Sequence, residues 1–346
     1  MNKIINFIAF SLLLLSCSNT PEVVKPVIEP PVSKFAKGAD ISWITEMEAA
    51  GRKFYDKSGK ETECFALMKA LGMNSIRLRV WVNPSPAYNN TADVVVKALR
   101  AKSLGFRIMI DFHYSDNWAD PGKQTKPAAW NSLDLAGLKS AIGTHTSEVL
   151  AELKKNGVTP EWVQVGNETN DGMLWPTGRA STNMSNFAQM INAGYDAVKS
   201  VFPTAKVIVH ISNGYDNQLF RWMFDGLKAN GAKYDVIGMS LYPTYAPDFA
   251  TGGWAKVNQQ CLTNMNDMVT RYNKEVMIVE VGMPWDSAAD CKLFISDIIT
   301  KTKSISNEKG LGVLYWEPQA YNWVGYTLGA FDNSGKPTVA MDAFLP

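Results

Sequence analysis

The sequence is poor in the residues that metal chemistry uses. Among 346 residues there are three His and four Cys. No His-x-His follows the first β-rich run, and no cysteine spacing has the form of a zinc site. Charge is scarce too. Only 19% of residues are charged, and 34 Lys plus Arg against 33 Asp plus Glu leave a net charge of +1. A nucleic-acid binder needs a basic face to neutralise phosphates, so this balance speaks against one. What the chain does have is apolar and aromatic material. Hydrophobic residues make up 46%, enough for a large core. At roughly 150 residues per domain the length allows two domains, and it fits a single large barrel equally well. Eleven Trp and twelve Tyr are many for one chain, and Trp is costly to expose without a reason.

The N-terminus begins Met1-Asn2-Lys3 and runs apolar from Ile4 to Leu15, broken by Asn6 and Ser11. That is a secretory signal in form, too short to span a bilayer. It ends Leu14-Leu15-Ser16-Cys17, which has the form of a bacterial lipobox: the signal is cut before the Cys, which is then lipidated. The plainer alternative is a signal peptide that happens to contain a Cys. Ser18 to Ser33 holds four prolines (Pro21, Pro26, Pro30 and Pro31) and reads as an extended tether. The expected organisation is a lipoprotein signal over 1–16, a lipid-anchored tether over 17–34 and a folded body over 35–346. Such a chain is exported and held on a bacterial membrane through Cys17, with the outer-membrane surface as one location. An exported body can hold disulfides. Of Cys64, Cys261 and Cys291, the last two sit near consecutive helices and are the geometrically possible pair, with one thiol left over.

Through the body, β-branched apolar runs alternate with helical stretches. Strands are expected over Lys37–Ile41, Ser75–Trp81, Arg107–Phe112, Trp162–Gly166, Lys206–Ile211, Val236–Leu241, Glu275–Val281 and Gly312–Trp316. Helices are expected over Glu61–Leu71, Ala92–Leu104, Leu135–Asn156, Met184–Val201, Asn217–Asn230, Val257–Tyr272 and Ala289–Ser304. Gly72, Gly105, Gly157 and Gly231 stand where a left-handed residue stops a helix. The alternation predicts a parallel α/β fold. Eight strands, with no Gly-rich phosphate turn after the first, favour a single closed (β/α)8 barrel over a doubly wound sheet. Nearly every strand ends in polar chemistry, and the C-terminal ends of barrel strands are where sites are built.

The sharpest pattern is two glutamates: Glu168 in Val165-Gly166-Asn167-Glu168 after the fourth strand, and Glu280 ending the seventh. A barrel brings both to one mouth, and paired carboxylates in one pocket are what glycoside hydrolysis requires. A Glu after a strand is otherwise usually a cap or a surface group. A nucleophile must be ionised, so a cation beside it helps. Arg79, on the same face as Arg77 and nearer the rim, is the expected one, while Arg77 reads equally well as a buried ion pair. Tyr242 ends the sixth strand and is placed to hydrogen-bond the nucleophile. His113 and His210, at two strand ends, are expected to line the pocket, and His145, mid-helix, reads as surface. Trp316 is expected as the floor under the reacting sugar, with Trp118 beside it and Trp81, Trp285 and Trp323 as further platforms. Asp116 is placed for hydroxyls of a more distant sugar.

The segments Gly38-Ala39-Asp40-Ile41-Ser42, Arg77-Leu78-Arg79-Val80-Trp81, the run Asp111 to Gln124, Lys126-Pro127-Ala128-Ala129-Trp130 and Tyr315-Trp316-Glu317-Pro318 add to the two glutamates. With them the chain resembles glycoside hydrolase family 53, the endo-β-1,4-galactanases, from about Phe35 to the C-terminus. The resemblance implies retaining, endo-acting cleavage of galactan or type I arabinogalactan, with Glu168 as general acid/base and Glu280 as nucleophile. It also implies that Asn167 contacts the hydroxyl beside the reacting carbon. Two segments depart from the family pattern. Gly282-Met283-Pro284-Trp285 stands where Gly-Tyr-Pro-Trp is common, and Leu241-Tyr242-Pro243 where Tyr-Tyr-Pro is usual, which puts local subsite contacts in doubt. Some bacterial relatives bind calcium on a long loop after the seventh strand. Here roughly thirty residues, mostly helical, separate Glu280 from the eighth strand, so no cofactor is expected and calcium is doubtful. The expected partners are galactan and, through Cys17, a membrane, with the body a monomer. Competing readings are a mannanase, xylanase or glucanase of the same clan, and a non-catalytic glycan-binding lipoprotein.

Overall fold

The computed structural model describes residues 34–346. The expected signal, Cys17 and all but the last tether residue lie outside the described residues. Among the described residues ten strands form: β1 (Ala36–Asp40), β2 (Ser75–Val80), β3 (Arg107–Phe112), β4 (Trp162–Val165), β5 (Gly172–Met173), β6 (Gly178–Arg179), β7 (Lys206–Ile211), β8 (Val236–Leu241), β9 (Glu275–Val281) and β10 (Gly310–Trp316). Eight close into a parallel barrel in the order β1-β10-β9-β8-β7-β4-β3-β2, and β5 with β6 is a small antiparallel pair outside it. The helices are α1 (Ile44–Ala49), α2 (Cys64–Ala70), α3 (Thr91–Ser103), α4 (Leu135–Lys155), α5 (Ala180–Val201), α6 (Asn217–Ala229), α7 (Phe249–Tyr272) and α8 (Ala288–Lys303). This is the expected (β/α)8 barrel. Among the described residues no helix is long and apolar enough to cross a membrane.

The strands are buried on both faces, which is why they read as continuous apolar runs. Outward residues such as Ile76, Ile110, Val163 and Ile278 pack under the helices. Inward residues form two layers. The lower layer is apolar: Ala36, Met109, Trp162, Ile208, Val236, Met277, Val279 and Leu314 plug the barrel. One step up, the inward positions turn polar. Asp40, Arg77, Asp111, Gln164, His210 and Ser240 are all buried there, at or within three residues of each strand's end. Period-2 alternation carries the same face upward, so the plug is the floor of the polar layer.

One irregularity decides where the nucleophile candidate points. On β9, alternation from Met277 and Val279 would turn Glu280 outward. β8 and β9 pair Met239 with Ile278 but Ser240 with Glu280, and the β9–β10 pairing skips the same extra residue. This bulge turns Glu280 back to the interior, as bulges beside active sites commonly do.

Helix ends follow local chemistry. Asn90, Asp134 and Asp216 cap α3, α4 and α6 by accepting from backbone N–H groups. Gly72, Gly105, Gly157 and Gly231 all have positive φ, as the stop signals predicted. Expected helix starts differ in three places. Glu63 accepts from Ala66 N and so starts α2 late. α5 and α7 begin earlier than periodicity suggests, across breaks at Asn183 and Gly253. The short α1 and the β5–β6 pair carry too few residues to show a period. Cys64, Cys261 and Cys291 are free and buried, so the geometrically possible Cys261–Cys291 pairing does not form; Cys291 Sγ instead faces the Tyr315 hydroxyl at 3.6 Å.

Candidate active site

The polar layer is organised around one guanidinium. Arg77 is fully buried and pairs with Asp40 Oδ2 at 2.8 Å, Asp111 Oδ2 at 2.9 Å and Glu280 Oε1 at 2.9 Å. It also donates to Gln164 Oε1 and, at 2.9 Å, to Asn167 Oδ1. Burial opposes its charge, but the carboxylates outweigh that and hold its pKa above the ordinary value. This corrects the sequence expectation: Arg77, not Arg79, is the cation beside Glu280. Alternation puts both arginines on one face, but a long side chain carries its charge upward by about a layer. The lower arginine therefore meets the rim carboxylate. Arg79 is also fully buried and is not part of the cleft surface. It pairs with Glu317 Oε1 at 2.6 Å and lies 4.3, 5.1 and 5.3 Å from the rings of Trp118, Trp81 and Trp43.

Above the layer opens a cleft of about 340 Å³ at the C-terminal ends of the strands, with both Glu168 and Glu280 in its wall. Their surroundings differ. Glu280 has Arg77 at 2.9 Å and accepts from the Tyr242 hydroxyl, also at 2.9 Å, at its other oxygen. Glu168, at the positive φ of 43°, accepts from Ser240 Oγ at 2.7 Å and has no cation within ion-pair distance among the described residues. Burial raises both carboxyls, and the charge of Glu168 adds to the rise at Glu280. Two carboxyls in one cleft, Glu280 buried and Glu168 half-buried, therefore share a proton. The contacts say which holds it: the charge sits on Glu280, against the guanidinium, and the proton on Glu168. Burial keeps the Tyr242 phenol protonated, as a donor must be.

The other predicted residues divide into wall and support. Asn167, His113, Trp118 and Trp316 line the cleft. Asn167 is fixed at both ends, its Oδ1 by Arg77 and its Nδ2 on the Ala119 carbonyl at 2.8 Å. Trp118 and Trp316 belong to a packed cluster with Trp43, Trp81 and Tyr326, ring centres 4.7 to 5.8 Å apart. Trp81 thus supports the wall from behind, and Trp285 and Trp323 lie outside it. His210 is fully buried behind the surface, so the expectation that it lines the pocket is corrected. Asp116 is likewise corrected: its two oxygens accept from Asn83 N and Ala128 N and brace the loop. The carboxylate of that run that faces the cleft is Asp120. His145 is not a surface residue; it packs against Phe112, Tyr114 and Trp130, and burial lowers its pKa to about 4. Leu241 and Met283, the two departures from the family pattern, are buried in the core outside the cleft wall.

Sequence reasoning missed Ser240, Asp120, Tyr245 and Tyr326 of this site. Ser240 was open to discovery, since it shares a face with Tyr242 two residues on. Asp120 and Tyr326 lie on loops and Tyr245 in a single 3-10 turn, where no period says which way a side chain points. Among the described residues no group of three or more His, Cys, Asp or Glu is arranged to hold a metal ion.

The model of glycosyl hydrolase family 53 matches residues 36–293. A probable arabinogalactan endo-β-1,4-galactanase A of Neosartorya fischeri is 33% identical, over 82% of this chain and 83% of its own length. An arabinogalactan endo-β-1,4-galactanase of Thermothelomyces thermophilus is 32% identical over 89% and 98%. A solved structure from a study of two fungal β-1,4-galactanases superposes with a TM-score of 0.82 at 30% identity, covering 89% of this chain and 98% of that one.

Proposed function

The chain belongs to glycosyl hydrolase family 53, and from that premise we propose that it is an endo-β-1,4-galactanase acting on galactan or type I arabinogalactan by double displacement with retention. The observation that carries the mechanism is the asymmetry of the two carboxyls in one cleft. Glu280, ionised against Arg77 and hydrogen-bonded by Tyr242, is the nucleophile. Glu168, half-buried without a cation in contact, is the general acid and then the base. In the first step the Glu168 proton goes to the glycosidic oxygen as that oxygen leaves the anomeric carbon and Glu280 bonds to it. In the second, Glu168 takes a proton from water as water displaces Glu280. Asn167, locked at both ends, offers its side chain beside the nucleophile for the neighbouring hydroxyl. His113 is a pocket-lining hydrogen-bond partner, and Trp118 and Trp316 present faces for sugar stacking. The same proposal includes export, a lipid anchor at Cys17 and a monomeric body that needs no cofactor.

The test is hydrolysis of β-1,4-galactan, arabinogalactan, mannan, xylan and β-glucan by wild type and Glu280→Ala. Galactan and arabinogalactan are cleaved by the wild type and neither by the variant. Cleavage of mannan but not galactan overturns the substrate, and undiminished activity in the variant overturns the mechanism. Proton NMR of early products shows the β-anomer first; initial α-product means inversion.

A further inference from the structure

Behind Glu168 lies a hydrogen-bonded pair that the mechanism above does not use. Ser240 Oγ donates to Glu168 Oε1 at 2.7 Å, and His210 Nε2 lies 2.8 Å from the same Oγ. Both residues are fully buried, on the adjacent strands β7 and β8. The direction of donation along this chain follows from what faces the ring: His210 Nδ1 meets two donors, Gln164 Nε2 and, at 3.4 Å, Glu168 N, against one acceptor, Asn167 Oδ1 at 3.1 Å, which already accepts from Arg77. Gln164 Oε1 accepts from Arg77 Nε and Nη2, which sets the amide's orientation and leaves Gln164 Nε2 to donate to His210 Nδ1 at 3.0 Å. With Nδ1 accepting, the ring proton sits on Nε2 and points at Ser240 Oγ. The serine's own proton is then directed at Glu168. Burial and the Arg77 charge hold the His210 pKa well below its ordinary value, so the ring is neutral.

Resting on the galactanase reading, we propose that His210 and Ser240 are positioning residues that hold the Glu168 carboxyl by Oε1 and leave Oε2 as the oxygen that gives and takes the proton. Neither residue transfers a proton itself. A hydroxyl donated to Oε1 favours the carboxylate over the acid. It therefore stabilises Glu168 as its proton leaves for the glycosidic oxygen, and it limits the upward push of burial. The other groups facing Glu168 are Arg77 on β2, Asp111 on β3, Asp120 on the loop after β3 and Glu280 on β9; Arg77 favours its charge, and the acids oppose it. None of these is altered by substituting Ser240 or His210.

The sign follows directly. Glu168 must be protonated to act, so activity falls as pH rises through its raised pKa. Removing a donor that favours the carboxylate raises that pKa, so the alkaline limb of the kcat/KM profile moves up. A donated hydrogen bond to a charged group is worth about 1.5–3 kcal/mol, so Ser240→Ala moves the limb by about one pH unit or more. With galactan kcat/KM falls about 10- to 100-fold. With an aryl β-galactobioside, whose leaving group needs no acid, it falls far less. Ser240→Thr keeps the hydroxyl and restores the limb. His210→Ala leaves Ser240 unaimed and moves the limb the same way by a smaller amount, which keeps the test available if Ser240→Ala does not fold. A limb that stays put in the folded variant, or equal losses on both substrates, overturns the proposal. Failure of the galactanase reading is seen in the wild type alone, as an inability to cleave galactan, and so is told apart from this outcome.

Discussion

Arg77 neutralises three carboxylates at once, and its loss and that of Arg79 separate cleanly. Arg77→Met leaves Asp40, Asp111 and Glu280 facing one another, and breaking such a buried network costs roughly 3–5 kcal/mol. In whatever fraction folds at low temperature, Glu280 is less ionised and kcat falls about 10²-fold or more. Arg79→Met strands only Glu317. It costs stability on the same scale, about 3–5 kcal/mol, but leaves every contact of Glu280 in place, so kcat of the folded protein stays within about tenfold of wild type. Thermal melts with kcat at a permissive temperature check both, and equal kcat losses would show that the two arginines share one role. Sequence alternation puts Arg77 and Arg79 on the inner face correctly but says nothing about height. The reach of the side chain chose the lower residue. Asp116 and Asp120 show the same limit in a loop: both are acids of one motif, and only folded geometry tells the brace from the one in the cleft.

Elements were legible where local chemistry decides them. Gly72 and Gly231 both stop helices at positive φ, +87° and +67°. They differ in surroundings. A Cβ on Gly72 would meet the Phe344 carbonyl oxygen at 2.4 Å, whereas one on Gly231 meets nothing within 4 Å. Gly231→Ala therefore carries only the left-handed backbone cost, roughly 1–2 kcal/mol. Gly72→Ala adds the displacement of the C-terminal segment that closes on α2, about 1–3 kcal/mol more. Chemical denaturation of the two variants checks the difference, and equal costs would mean the C-terminal segment yields freely. The β9 bulge is the contrary case. Met277, Ile278, Val279, Glu280 and Val281 carry no turn residue and read as an unbroken strand. The extra residue that aims Glu280 inward exists only in its pairing with β8 and β10.

At the scale of the molecule, the barrel was legible because counting needs no coordinates: eight apolar runs alternate with seven helical ones. The excess of Trp also found its place only as an assembly, since Trp118 and Trp316 in the cleft wall pack with Trp43 and Trp81 behind it, a cluster that no single residue announces. The parallel strands give the body two unlike ends. Both glutamates lie at the C-terminal ends of strands, while Lys34 and Phe35 lie with the strand starts Arg107, Trp162, Lys206 and Glu275 around a cavity at the other end. No side chain of the cleft comes from the first residues of the body. The anchor proposed at Cys17 is therefore expected to decide where the enzyme is and not how it works. Cys17→Ser moves the protein from the membrane fraction to the soluble one. Its kcat/KM on soluble galactan, and that of the body 35–346 alone, stay within about twofold of the full chain. Fractionation followed by reducing-sugar assays on each preparation checks this. A variant that stays with the membrane overturns the anchor, and a large loss of kcat/KM in the isolated body would show that residues before Phe35 take part in the site.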